Sequence, residues 1–196
     1  MINTENLEIL SPKKQLQLFG YDDYFNSFIK LFNKNKLPNT ILLSGLKGSG
    51  KATFTYHFIN YLFSYREQDK YSVSNFTISS DNKSYKRLCN NIHPNFFLLE
   101  NTFSNAYIKI EQVRKLLGFL NKSILSKNLR IVLIDSAEYL NINSSNALLK
   151  SLEEPSNNTF FFLIYNNTKY ILKTIKTRCL EYKIHFSINE KKNNFF

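Results

Sequence analysis

The chain has 196 residues and is 43% hydrophobic, enough for one α/β domain with a real core, too short for two sizeable domains and too apolar for a disordered chain. Its formal net charge of +11 does not by itself assign a nucleic-acid role. Only Arg66, Arg87, Arg114, Arg130 and Arg178 are arginines, and the abundance of Lys, Asn, Ile, Phe and Tyr is the skew expected of an A+T-rich coding sequence. A solvated lysine surface and a polyanion-binding face therefore both stay open. No apolar run reaches the roughly 18 residues of a membrane span. The opening MINTENLEILSPKK lacks the basic-then-apolar order of a signal peptide, so a cytoplasmic location and no membrane contact are expected.

Residues 1–17 read as an N-terminal extension. TILLSG, 40–45, is a short apolar run ending in Gly and reads as a buried strand. GLKGSGKA follows as a loop, and KATFTYHFINYLFSY then has helical spacing. Residues 66–91 are polar and read as an irregular insertion with one helical turn near Ser84–Asn90. Within and just after it, Cys89 and His93 have i, i+4 spacing, but two ligands do not make a zinc site, so Cys89 reads as an incidental thiol. NFFLLE, 95–100, is a second strand. Ile110, Val113, Leu117 and Leu120 predict one helical face. RIVLID, 130–135, is the clearest buried strand. NSSNALLKSLEEP reads as a helix capped by Asn143 or Ser144 and ended by Pro155. TFFFLIYN (159–166) is another strand, TKYILKTIKTRC a short helix entering a turn, LEYKIHF a last strand, and 187–196 a polar tail. Strands separated by helices predict a parallel sheet with helices on both faces.

The loop at 45–52 matches G-x-x-x-x-G-K-[ST] in all but its last residue. Gly45, Gly48 and Gly50 provide turns and close backbone approach, and Lys51 a cation for terminal phosphates. Ala52 stands where a Mg²⁺-binding hydroxyl belongs. Thr53 is one residue late, about 100° around a helix. Asp135, at the end of its strand, is the expected metal-facing carboxylate. The residue after it, where a water-polarising acid is usual, is Ser136; Glu138, three residues on, is within reach of the site, though a residue so placed more often caps a helix or faces solvent. The pair of motifs predicts a P-loop nucleotide fold in which Gly45, Gly48, Gly50, Lys51 and Asp135 form a degenerate nucleotide site. ATP and Mg²⁺ are expected to bind weakly, with no intrinsic ATPase activity and no metal site.

From Leu18 to Ile184 the chain resembles the clamp-loader branch of the AAA+ ATPases, and within it the delta prime family of bacterial DNA polymerase III subunits. The resemblance rests on LFGYDDYFNSFIKLFNKNKLPNTILLSGLKGSGKATFTYHF, HPNFFLLE, IKIEQVRKLLGFL, RIVLIDSAEYLNINSSNALLKSLEEPSNNTFFFLIYNN and ILKTIKTRC. The pairing of NALLKSLEEP with a later Arg-Cys is its most specific part. It implies an AAA+ domain over 18–186 with a five-stranded parallel sheet. The family's Ser-Arg-Cys motif falls on Thr177, Arg178 and Cys179, which implies that Arg178 reaches a neighbouring subunit's ATP as a trans arginine finger. Asn166 and Asn167 fall where active members place a γ-phosphate sensor. Implied partners are a gamma/tau-type motor subunit, a delta-type subunit, the sliding clamp indirectly, and primed DNA.

Two departures accompany the resemblance. Many relatives carry four zinc-binding cysteines between the first helix and the second strand, and residues 66–91 lack them. The family continues into lid and collar domains, which are expected to be absent here. The leading expectation is a non-catalytic clamp-loader subunit acting in DNA replication. A self-sufficient ATPase using Thr53 or a water, and a shortened interaction module without clamp-loading activity, are the alternatives.

Overall fold

The computed structural model describes residues 11–101, 107–122 and 128–184. The expected tail at 187–196 and the first ten residues of the expected extension lie outside them. Five parallel strands, β1 (Thr40–Gly45), β2 (Phe96–Leu99), β3 (Arg130–Ile134), β4 (Thr159–Asn166) and β5 (Leu180–Lys183), form one sheet in the order β2-β3-β4-β1-β5. Among the described residues six α-helices accompany them: α1 (Asp22–Asn33), α2 (Lys51–Ser64), α3 (Lys83–Cys89), α4 (Ile110–Leu120), α5 (Ile142–Glu153) and α6 (Lys173–Lys176).

The strands β1, β3 and β4 read as near-continuous apolar runs because both faces of the sheet are covered there, whereas the edge strand β5 carries Glu181 and Lys183 and is only partly covered. Alternate residues serve two cores. Ile41, Leu43, Ile131, Leu133, Phe160, Phe162 and Ile164 pack under α1, α2 and the insertion. Leu42, Val132, Ile134, Phe161, Leu163 and Tyr165 pack under α4, α5 and α6. The first core is aromatic. Phe25 and Phe28 of α1 meet Phe54 and Phe58 of α2 edge-on at 5.3–6.0 Å, and Phe25 stacks on Tyr71 at 5.0 Å, geometries that suit the ring quadrupoles.

Two local expectations need correction, and one gains a residue. In α4 Ile110, Val113, Leu117 and Leu120 face one core as expected, with Val113 and Leu116 its fully buried seam. The helix turns its face towards α5, and the extra ring of Phe119 over Arg130 covers the flank. Helix α5 begins a turn earlier than its apolar residues suggest: Asn141, not Asn143 or Ser144, caps it by accepting from the Ser144 N–H at 2.8 Å. The insertion holds two turns of helix in α3 rather than one.

That insertion is ordered by buried polar contacts. Asn82, wholly buried, caps α3 by accepting from the Tyr85 N–H (2.6 Å). Its Oδ1 also accepts from Asn60 Nδ2 (2.9 Å), and its Nδ2 donates to the Asp69 carbonyl. Tyr71 donates its N–H to Ser64 Oγ (3.0 Å), and Glu67 accepts from the Ser84 hydroxyl (2.6 Å). Residues 11–18 lie along the same segment, through Leu18 N–H to Phe76 O and Ile78 N–H to Leu16 O. Cys89 Sγ donates to the Lys13 carbonyl (3.0 Å), and His93 stacks on Phe63 at 3.9 Å. The two are thus engaged separately, and among the described residues no group of three or more potential ligands could hold a metal ion. No helix among them is long and apolar enough to cross a membrane.

Candidate functional site

The phosphate-type loop sits at the carboxyl end of β1, between the last residues of β4 and β5, where open parallel sheets place ligands. Its backbone needs glycine at defined places. Gly48 and Gly50 have φ of +77° and +84°, and a Cβ on Gly45 would lie 2.7 Å from the Ile184 carbonyl oxygen. Tyr21, just before α1, closes the loop from the side. Its hydroxyl donates to the Ser49 carbonyl (2.7 Å), its ring stacks on Phe54 at 5.0 Å, and its edge lies 3.2 Å from where a Gly50 Cβ would stand.

Lys51 is turned inward. Its Nζ donates to Gly45 O (2.9 Å), Leu46 O (2.6 Å) and Ser49 Oγ (3.2 Å), and the residue is 4% exposed. An ammonium has three donors, and the loop's own oxygens take all three. Burial lowers its pKa, against the opposing pull of Glu138 and Asp135. Asp135 follows β3 directly, and its N–H donates to Leu99 O (2.9 Å). Burial, with Glu100 nearby, raises its carboxyl pKa.

Ser136 takes a left-handed φ of 64°. The reversal brings Glu138, which sequence reasoning leaves open between the site, a cap and solvent, back over the site. Its carboxylate accepts from the Asn166 N–H at 3.2 Å and is close enough to act on Lys51 and Asp135. Asn166 spends its own side chain locally, accepting from the Thr168 N–H and hydroxyl at 3.3 and 3.0 Å. Asn167 donates its N–H to Gly45 O (3.2 Å). Gly45, Gly48, Gly50, Lys51, Asp135, Glu138 and Asn166 therefore converge. The set does not fit a firmly held Mg²⁺: Ala52 offers no oxygen, the half-buried Thr53 is a residue late, and burial raises the pKa of the Asp135 carboxyl.

Arg178 is elsewhere. Leu180 pairs with Ile41 at the start of β1, so β5 begins roughly 13 Å of strand before the loop, and Arg178 precedes it, at the amino ends of the strands. Its Nε donates to Glu153 Oε2 (3.1 Å) and its Nη1 to the Thr174 carbonyl (3.1 Å). Thr177 is exposed, with its hydroxyl on Thr174 O at 3.3 Å. Burial pushes the Cys179 thiol up to about 12, which makes it an inert packing group.

Comparison with known proteins follows the same lines. Residues 20–187 match the family described as "DNA polymerase III, delta subunit". The chain is 40% identical to the DNA polymerase III subunit delta' of Pseudomonas aeruginosa over 99 residues, which is 50% of this chain and 30% of that one. It is 24% identical to the Escherichia coli subunit delta' over 83% of its own length and 46% of the relative's. A Buchnera aphidicola DNA polymerase III subunit gamma is 28% identical over 97% of this chain and 51% of its own. The chain thus spans a third to a half of the length of these relatives. Among solved structures, a DNA polymerase III gamma subunit-related protein of Thermotoga maritima superposes with a TM-score of 0.53 at 17% identity, over 86% of this chain and 48% of that one. The RuvB branch migration motor of the same organism gives 0.53 at 13%, over 93% and 52%. These two bear on the fold alone, a parallel α/β sheet of the AAA+ P-loop type.

Proposed function

The chain belongs to the DNA polymerase III delta subunit family, its delta prime members among its relatives, and from that premise we propose that it is a non-catalytic, delta prime-like part of a sliding-clamp loader. In this reading it completes the ATP site of a neighbouring gamma/tau-type motor subunit by offering Arg178 in trans, while its own phosphate loop is a structural turn. The observation that carries the reading is a division of labour between two cations. Lys51 is consumed by the oxygens of its own loop, whereas Arg178 stands at the other end of the sheet with part of its fork unused. A planar, permanently charged guanidinium suits the charge that spreads over a transferring γ-phosphoryl group. Relatives named as delta' and gamma subunits support this assembly. The test mixes the chain with the motor subunit and primed DNA. ATP turnover is expected to rise with the wild-type chain and to lose that rise with Arg178→Ala; an undiminished rise with the alanine variant defeats the finger assignment.

A second reading, a self-sufficient ATPase, draws on Glu138, whose carboxylate overhangs Lys51 and Asp135. Titrating the isolated chain with ATP, with and without Mg²⁺, separates the two. Weak, Mg²⁺-independent binding without turnover is the result expected of the first reading. Tight Mg²⁺-dependent binding, with turnover lost in Lys51→Ala, would favour the second.

A further inference from the structure

We infer that Glu153 is the positioning residue for Arg178, an inference that rests on the trans-arginine reading above. Glu153 is the last residue of α5, where the helix presents its free carbonyls and the negative end of its dipole. A carboxylate there is opposed by its own helix, and a cation is favoured. The Arg178 guanidinium meets both needs, with Nε 3.1 Å from Glu153 Oε2. Its second anchor comes from its own short helix, since Nη1 donates to Thr174 O, one turn back, at 3.1 Å. Two fixed points on a planar fork define its plane.

What those anchors leave over is a directed surface. A guanidinium has five N–H donors, and here one on Nε and one on Nη1 are used. Among the described residues Nη2 has no partner, so its two N–H groups and the second on Nη1 form the free edge, matched to a tetrahedral oxyanion such as a terminal phosphate. The side chain of Arg178 is 27% exposed, and both of its hydrogen bonds lie at the surface. A free arginine would lose rotamer freedom on meeting phosphate; one held by Glu153 has lost it beforehand. At 60% exposure the Glu153 side chain is wet, so it acts by orienting the fork rather than by strong attraction. The acceptor's place matters more than its charge.

The experiment uses the complex with the motor subunit, following kcat and KM for ATP in Arg178→Ala, Glu153→Ala and Glu153→Gln. Glu153→Ala is expected to lower kcat by about three- to tenfold, the scale of one ordinary, solvent-exposed hydrogen bond, with KM and complex assembly unchanged. Glu153→Gln keeps an oxygen at the same place and is expected to restore most of the rate. Loss in Arg178→Ala without loss in Glu153→Ala overturns the positioning role and leaves the finger intact. No loss in Arg178→Ala removes the finger itself, and the Glu153 inference with it. Equal loss in both Glu153 variants, or a faster rate in either, also overturns it, since the carboxylate would then act by charge or as a restraint.

Discussion

Replacing Asn82 by alanine asks what holds the 66–91 segment together. The side chain is wholly buried and makes three hydrogen bonds: from the Tyr85 N–H, from Asn60 Nδ2, and to the Asp69 carbonyl. Loss of the helix cap alone costs about 1 kcal/mol. Asn60 Nδ2 is left buried with no acceptor, on a residue whose Oδ1 already lacks a partner, and the Asp69 carbonyl loses its donor. Each orphaned group adds about 1 kcal/mol. The total is about 2–4 kcal/mol, or roughly 4–16 °C in Tm for a domain of this size. Urea unfolding followed by circular dichroism measures it, and limited proteolysis locates it, with cleavage expected first within 66–91. Asn82→Asp retains both accepted bonds but buries a carboxylate and loses the donor to Asp69, so it should fall between wild type and alanine near pH 5 and worsen as pH rises. A loss under 0.5 kcal/mol in Asn82→Ala, the range of ordinary surface changes, would refute the idea that this network organises the insertion.

Two glycines should respond in opposite senses. Gly50→Ala puts a Cβ at φ +84° and 3.2 Å from the Tyr21 ring, and is expected to cost about 1–3 kcal/mol. Gly118→Ala, in the last turn of α4 with nothing within 4 Å, should stabilise by about 0.5–1 kcal/mol; denaturant midpoints of the two variants check both signs. Acid sensitivity follows from His57 and His93, each held neutral by burial with its pKa lowered from 6.5 to about 4. The unfolded chain then binds more protons across that window, so stability is whole above pH 6.5 and falls as pH drops towards 4, by up to about 1.4 kcal/mol per pH unit for each histidine. Asp135, its pKa raised, works in the opposite sense from pH 3.8 upward. Unfolding free energies that do not change between pH 7 and 5 would contradict the burial of neutral imidazoles.

The strands β1, β3 and β4 can be read from the sequence because a doubly covered parallel strand is apolar through its middle, as ILL, IVLI and FFFLIY are, whereas the edge strand β5, LEYK, is only partly covered. The phosphate loop is equally plain, since its glycines serve local backbone conformations. What sequence reasoning misses depends on distant partners. The Asn60–Asn82 bond spans 22 residues, and neither amide, one in α2 and one at the cap of α3, stands out until the other is placed beside it. The sequence leaves Glu138 open between the site, a cap and solvent, because the turn that returns it over the site depends on the left-handed Ser136, a conformation a serine does not announce. That Lys51 would fill its own loop is likewise a matter of packing: nothing in GLKGSGKA separates a lysine awaiting phosphate from one already satisfied. The Asn141 cap precedes the helix's apolar residues, and only the backbone geometry tells it from Asn143.

The strand order carries a consequence for how the chain is made. Strand β1 is the second-to-last in the sheet by position but the first to leave the ribosome, and both its neighbours, β4 and β5, are among the last. Asn39, just ahead of it, donates to the Thr159 carbonyl 120 residues later (2.8 Å). At roughly 5–20 residues per second, Ile41, Leu42 and Leu43 wait about 6–24 s for their pairing edges, and they are completely buried in the finished fold. Until then an apolar strand with two open edges is a target for chaperones or for other nascent chains. A ribosome stalled before Thr159 would present that strand with no native neighbour on either side, so the danger of misassembly is concentrated in incomplete translation products.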